Sequence, residues 1–172
     1  MTDIEFQSLI QLKKIFAKKD VILPFTGNCY TYDLKSATTS DKFYLDIDRR
    51  GSIELKAKLQ SRYVRNRLPL VRIDINSSPH INPDGRKLSR NHIHIFRECD
   101  NDTGNLPWAY ELNDVFKTNS DWDFTCFKRF NNCYILLLNS PQALENTGFI
   151  AGELSLIVSL VLYRPTSVYE LW

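Results

Sequence analysis

LPLVRIDINSSPHINPDGRKLSRNHIHIFRE, residues 68–98, is the stretch whose reading decides the fold. Val71, Ile73 and Ile75 alternate with Arg72, Asp74 and Asn76, and Ile93 and Ile95 alternate with His92 and His94. A period of two sends successive side chains to opposite faces of a strand. The stretch therefore reads as a strand, a long polar loop and a second strand. With both apolar rows on one core, Arg72, Asp74, His92 and His94 share the opposite face. All 3 histidines of the 172-residue chain lie here. Imidazole is the side chain best suited to proton transfer near neutral pH and is a common metal ligand. This is the candidate site.

Working outward, residues 42–48 set Phe43, Leu45 and Ile47 against Tyr44, Asp46 and Asp48. Residues 52–62 set Ile53, Leu55, Ala57 and Leu59 against Glu54, Lys56, Lys58 and Gln60. Two such runs around Arg49-Arg50-Gly51 predict a hairpin. A further strand pair is expected over 21–25 and 29–34, around Thr26-Gly27-Asn28, with residues 35–41 as a loop. Residues 107–110 form a short strand or a packing segment. Thr2 and Glu5 have the spacing of a capping box. Ile4, Leu9, Leu12, Ile15 and Phe16 continue it as an apolar stripe to about Lys18, expected to pack on the Val71/Ile73/Ile93/Ile95 face. A second helix is expected from Ser120 to Tyr134. The fold class is α+β: an antiparallel meander of about four to six strands with helices packed on one face. Residues 1–149 read as a single domain, and 150–172 as an apolar extension packed on it or at an oligomer contact. Its apolar run is short for a span, which needs about 20 residues.

Hydrophobic content of 43% and charged content of 24% are ordinary for a soluble globular protein. A net charge of +2 leaves any nucleic-acid preference to local patches. Cys29, Cys99, Cys126 and Cys133 show no CxxC spacing, which fits free thiols in a reducing cytoplasm. No apolar leader pattern is present at the N-terminus, so a secretory signal is not expected. A cytoplasmic, membrane-free protein is the expectation.

The loop has its own chemistry. In His80-Ile81-Asn82-Pro83-Asp84-Gly85, Pro83 suits the second position of a turn and Gly85 suits positive φ. Asn82 and Asp84 are either ordinary turn residues or substrate contacts. Arg86, Lys87 and Arg90 follow as a mobile basic flap. Candidate catalytic residues are His80, His92, His94, Arg72 and Asp74; candidate substrate-binding residues are Lys56, Lys58, Arg86, Arg90, Asn82 and Asp84.

Arg72-Ile73-Asp74, His80-Ile81-Asn82-Pro83-Asp84-Gly85, His92-Ile93-His94-Ile95-Phe96-Arg97-Glu98 and Trp108-Ala109 together carry a resemblance. The chain resembles an uncharacterised family of small proteins, found mainly in Gram-positive bacteria and their mobile elements, with the pattern R-x-D…H-x-N-P-D-G…H-I-H-x-[YF]-R-E…W-A. The resemblance covers most of residues 1–149. More distantly, the order R-x-D, His, H-x-H is similar to that of small ribonuclease toxins of toxin–antitoxin pairs. That similarity implies RNA cleavage on one sheet face, with Arg72, His80, His92 and His94 at the matching positions. The NPDG insertion and the long tail depart from the toxin pattern.

Three functions follow as expectations. The first is a metal-independent ribonuclease: histidines supply base and acid, Arg72 or Lys58 steadies the phosphorane, and Asp74 orients an imidazole. The second is a metal-dependent hydrolase in which His80, His92 and His94, with Asp74 or Asp84 beside them, ligate zinc or manganese. The third is a non-enzymatic inhibitor or binding protein of a phage or other mobile element, with hydrogen-bonded structural histidines. Partners are accordingly RNA or a protein, such as a cognate antitoxin or a defence-system target, and a homo-oligomer is a further possibility. If the histidines stand on a solvated face, truncating either to alanine should change stability by no more than roughly 0.5 kcal/mol.

Overall fold

Alternating apolar residues make sheet here because every second side chain finds the same core. The computed structural model describes residues 1–18, 24–50, 56–99, 104–112 and 114. Among these residues one helix, α1 (Asp3–Gln11), precedes seven strands: β1 (Lys14–Phe16), β2 (Cys29–Ser36), β3 (Lys42–Asp48), β4 (Ala57–Tyr63), β5 (Pro69–Ile75), β6 (His92–Ile95) and β7 (Ala109–Glu111). They form a single antiparallel sheet in the order β1-β2-β3-β4-β5-β6-β7. The meander is thus longer than the four to six strands expected, because the three-residue strands β1 and β7 extend it at either edge. The second helix predicted over 120–134 and the extension 150–172 lie outside the described residues, as do parts of the strands expected over 21–25 and 52–62.

Register fixes the two faces, since residues directly opposite in an antiparallel pair share one. Ile47, Leu59, Ile73 and Ile93 align across β3–β6, as do Leu45, Ser61, Val71 and Ile95. Leu45, Ile47, Leu59, Val71, Ile73 and Ile93 are buried in one apolar cluster. The other face carries the rows Asp46–Gln60–Arg72–His94–Ala109 and Asp48–Lys58–Asp74–His92–Glu111. The strand alternation of β5 and β6 is therefore as the sequence predicts.

The helix differs from its expectation. Thr2 does cap it, its Oγ1 accepting the Glu5 amide at 3.1 Å, but it ends at Gln11 and not near Lys18. Leu12 turns extended, and Lys14 folds back so that its Nζ donates to the carbonyls of Leu9 (2.8 Å), Ile10 (3.2 Å) and Leu12 (2.9 Å). A lysine amino group at a helix C-terminus donates to carbonyls that have no intrahelical partner. Lys14, Ile15 and Phe16 then pair with Ser36, Lys35 and Leu34. The buried helix face is Phe6, Leu9 and Ile10, which join the sheet's apolar cluster, with Phe6 against Phe96 at 5.4 Å. Ile4 is 81% exposed, so the stripe is rotated from the one the sequence suggested. The helix start is tied to the end of β6 by reciprocal bonds, Asp3 N–H to Glu98 Oε2 and Glu98 N–H to Asp3 Oδ1, both 2.9 Å.

Residues 76–91, which include the expected basic flap, are pinned by main-chain hydrogen bonds. Asn76 leaves β5 at φ 48° and Gly85 turns at φ 87°. Ile81 bridges Lys87, the Leu88 amide donates to the His80 carbonyl at 2.8 Å, and the Ser77 amide donates to the Arg90 carbonyl at 3.2 Å. Leu88 is buried beneath it.

Candidate functional site

β5 and β6 deliver four side chains by register alone: Arg72 opposite His94, and Asp74 opposite His92. The loop brings the fifth. The His80 ring stacks on His92 at 5.6 Å between centroids and meets His94 edge-on at 4.6 Å, while His92 and His94 stand 5.0 Å apart. One ligand atom from each of the three rings falls within 4.8 Å of the others.

Main-chain carbonyls determine where the ring protons sit. His80 Nε2 donates to the Pro107 carbonyl (2.8 Å), His92 Nδ1 to Ser89 (2.8 Å) and His94 Nδ1 to Leu106 (2.6 Å). A carbonyl only accepts, so each of these nitrogens carries a hydrogen, and in the neutral ring the other bears a lone pair. His92 Nε2 and His94 Nε2 then face one oxygen, Asp74 Oδ2, at 3.5 and 3.2 Å. Arg72 grips the same oxygen through Nε at 2.8 Å and reaches His94 Nε2 with Nη2 at 2.7 Å. Asp74 Oδ1 is buried without a hydrogen-bond donor, with Lys58 Nζ 4.0 Å away.

Burial acts first on Asp74 and works to raise its pKa, but His92, Arg72 and Lys58 together outweigh it and hold the carboxyl below its ordinary range. For His94, burial dominates and pushes the imidazole below its ordinary value, against the pull of Asp74. His94 is therefore neutral at neutral pH. Its Nε2 accepts from Arg72, and the 3.2 Å approach to Asp74 is a close contact of two electron-rich atoms.

This end of the polar face is not solvated, contrary to the expectation from its pattern. His92, His94 and Asp74 are 2%, 0% and 3% exposed. The loop and residues 104–109 close over them, and the clip is Asn82. Its Nδ2 donates to the Ala109 carbonyl (3.0 Å) and its Oδ1 accepts the Ala109 amide (2.9 Å). Asn82 is itself buried, so its carboxamide serves the fold. Asp84 is an ordinary turn residue, its Oδ1 accepting the Arg86 amide at 2.9 Å. Arg86, Lys87 and Arg90 are exposed, with Arg90 Nε donating to the Ser77 carbonyl. Lys58 joins the site through Asp74, and Lys56 stands half-buried just before β4.

Sequence reasoning missed the carbonyls of Ser89, Leu106 and Pro107, which carry no side-chain signal. It also missed Glu111, opposite His92, whose carboxylate accepts the Ser89 amide (2.7 Å) and hydroxyl (2.5 Å) and so steadies the carbonyl that takes His92. Arg97 of the H-I-H-x-F-R-E segment lies over the Trp108 ring at 4.5 Å, fastening the covering strand segment to the end of β6.

A seven-stranded antiparallel meander with three imidazoles, a carboxylate and a guanidinium closed under its loop defines the class. The chain belongs to the Family of unknown function (DUF6978), whose model matches residues 1–135. No curated protein and no solved structure matches the chain. Among the described residues no helix is long and apolar enough to cross a membrane.

Proposed function

We propose that the protein is a metal-dependent hydrolase whose ion is held by His80, His92 and His94, acting on the phosphodiesters of RNA. The observation that carries this reading is the disposition of ring protons. Each imidazole gives one N–H to a main-chain carbonyl, which orients the ring and turns its other nitrogen to the cluster, as the outer partners of metal-bound histidines do. The second ring nitrogens of His92 and His94 converge on a buried carboxylate that has an unsatisfied oxygen, an arrangement a cation would stabilise. Zinc takes nitrogen at about 2.0–2.1 Å, so donors in its sphere stand roughly 3.3 Å apart, and loading would draw together rings whose ligand atoms now lie within 4.8 Å of one another. A bound ion of this kind acidifies a coordinated water and polarises a phosphoryl oxygen. Asp74 would stand beside that water, and Lys58, half exposed, would face the solvent side.

Metal-independent ribonuclease chemistry draws support from one observation, the contact of Arg72 with His94 beside Asp74. It asks His92 and His94 to touch substrate, however, and both are buried with Nδ1 committed to the backbone. A toxin of a mobile element, with a cognate antitoxin as partner in the cytoplasm, is the setting that the resemblance suggests for either chemistry.

The test is metal analysis of protein purified without an affinity tag, beside an RNA-cleavage assay with and without chelator. Near-stoichiometric metal and chelator-sensitive cleavage are expected. Cleavage by metal-free protein would favour the acid–base mechanism. Neither metal nor cleavage would leave the binding-protein reading, in which the histidines only hold the loop.

A further inference from the structure

The Arg72 guanidinium holds the nitrogen an ion would need. Its Nη2 stands 2.7 Å from His94 Nε2, and His94 has already given Nδ1–H to the Leu106 carbonyl at 2.6 Å. A neutral imidazole has one lone pair in the ring plane. The donor from Arg72 and an ion bound to the three histidines therefore compete for the same pair of electrons. Both are cations, so they also repel. Arg72 keeps its charge in proteins, so it cannot yield by deprotonation and must instead turn Nη2 elsewhere.

Where it can turn is set by its surroundings. Nε stays anchored to Asp74 Oδ2 at 2.8 Å, so the guanidinium pivots about that bond and does not leave. The side chain is 21% exposed, and the half-exposed Lys58 lies on the other side of Asp74, 4.0 Å from Oδ1. Two cations flank the carboxylate on the side open to solvent. A donor freed from His94 in so enclosed a place requires a new acceptor. An oxyanion bound at the ion provides one, and a phosphodiester has two oxygens that match the guanidinium fork.

We infer that Arg72 has two alternative partners, His94 in the ion-free protein and a phosphodiester oxygen in the loaded one, so that the metal ion and a phosphodiester bind cooperatively. The inference rests on the metal-site reading and names the ligand class of that same site. Linkage makes the coupling reciprocal: the phosphodiester tightens the ion by the factor by which the ion tightens the phosphodiester.

The experiment titrates Co²⁺, followed by its visible absorption, into chelator-stripped full-length protein, with and without dimethyl phosphate. Trimethyl phosphate serves as the uncharged control. Dimethyl phosphate is expected to tighten Co²⁺ binding by about tenfold or more, within the usual range of such couplings, and trimethyl phosphate to leave it unchanged. Sequestration of Co²⁺ by dimethyl phosphate in solution would act in the opposite sense. Arg72→Gln is expected to bind Co²⁺ more tightly than the wild type without any anion and to lose the dependence on dimethyl phosphate. The wild-type arm decides the matter if this variant fails to fold. Co²⁺ binding that ignores dimethyl phosphate, or that weakens in a folded Arg72→Gln protein, would overturn the inference while the metal site stands. Wild-type protein that takes up no Co²⁺ at all would remove the metal site and the inference with it.

Discussion

Replacing Asn82 by alanine should unfasten the loop that carries His80. In β7, Ala109 opposes His94, and its amide and carbonyl turn to the Asn82 carboxamide at 2.9 and 3.0 Å. The side chain thus acts as one residue of an eighth strand, pairing part of an edge that would otherwise present bare polar groups. Asn82 is 6% exposed and Ala109 1%, so water cannot readily replace the lost bonds. Leaving a buried donor or acceptor unsatisfied costs about 1–3 kcal/mol. Two such groups set the loss at about 2–6 kcal/mol. Asn82→Asp keeps the acceptor for the Ala109 amide but sets a carboxylate against the Ala109 carbonyl, and should lose a comparable amount. Urea unfolding of the three proteins measures this directly, the midpoint moving while the slope stays constant. A loss below about 0.5 kcal/mol, the range of ordinary surface changes, would refute the reasoning and return Asn82 to an exposed turn. Because Asn82 lies two residues from His80, the same substitution should also weaken metal uptake.

His94→Ala should cost about 1–3 kcal/mol or more rather than the near-zero change of a solvated side chain, since it strands the Leu106 carbonyl in a buried site and takes an acceptor from the part-exposed Arg72; a loss below about 0.5 kcal/mol in urea unfolding would contradict this. On the helix, Phe6→Ala should lose about 3–5 kcal/mol and Ile4→Ala almost nothing, because Phe6 is 1% and Ile4 81% exposed; equal losses in chemical denaturation would place the helix in another rotation. Burial pushes the Lys14 ammonium down to about 7 from 10.5. The folded protein sheds that proton near pH 7 while the unfolded chain keeps it to 10.5, so this residue's contribution to stability rises with pH across that window. The stability difference between wild type and Lys14→Met, measured by urea unfolding at pH 7, 8 and 9, should therefore grow in favour of wild type by up to about 1.4 kcal/mol per unit. A difference that is flat with pH would show that Lys14 keeps its charge.

Alternation in residues 42–48 and 70–76 was enough to place β3 and the polar and apolar sides of β5, because period two is imposed by the pleat itself and is written residue by residue. The His-x-His pair and the Arg-x-Asp pair fell on one face for the same reason, and the capping threonine and the turn glycine were legible from local backbone requirements. The end of the helix was not, since Leu12, Ile15 and Phe16 continue a helical spacing. What stops α1 is the Lys14 amino group closing its carbonyls and β1 pairing with a strand some twenty residues away. Nor could the polar pattern tell a solvated face from a covered one. The cover over His92 and His94 comes from residues 104–109 and from Asn82, brought there by long-range packing. The carbonyls of Ser89, Leu106 and Pro107 then determine which nitrogen of each histidine is free, and every residue type has a carbonyl, so that choice belongs to tertiary structure alone.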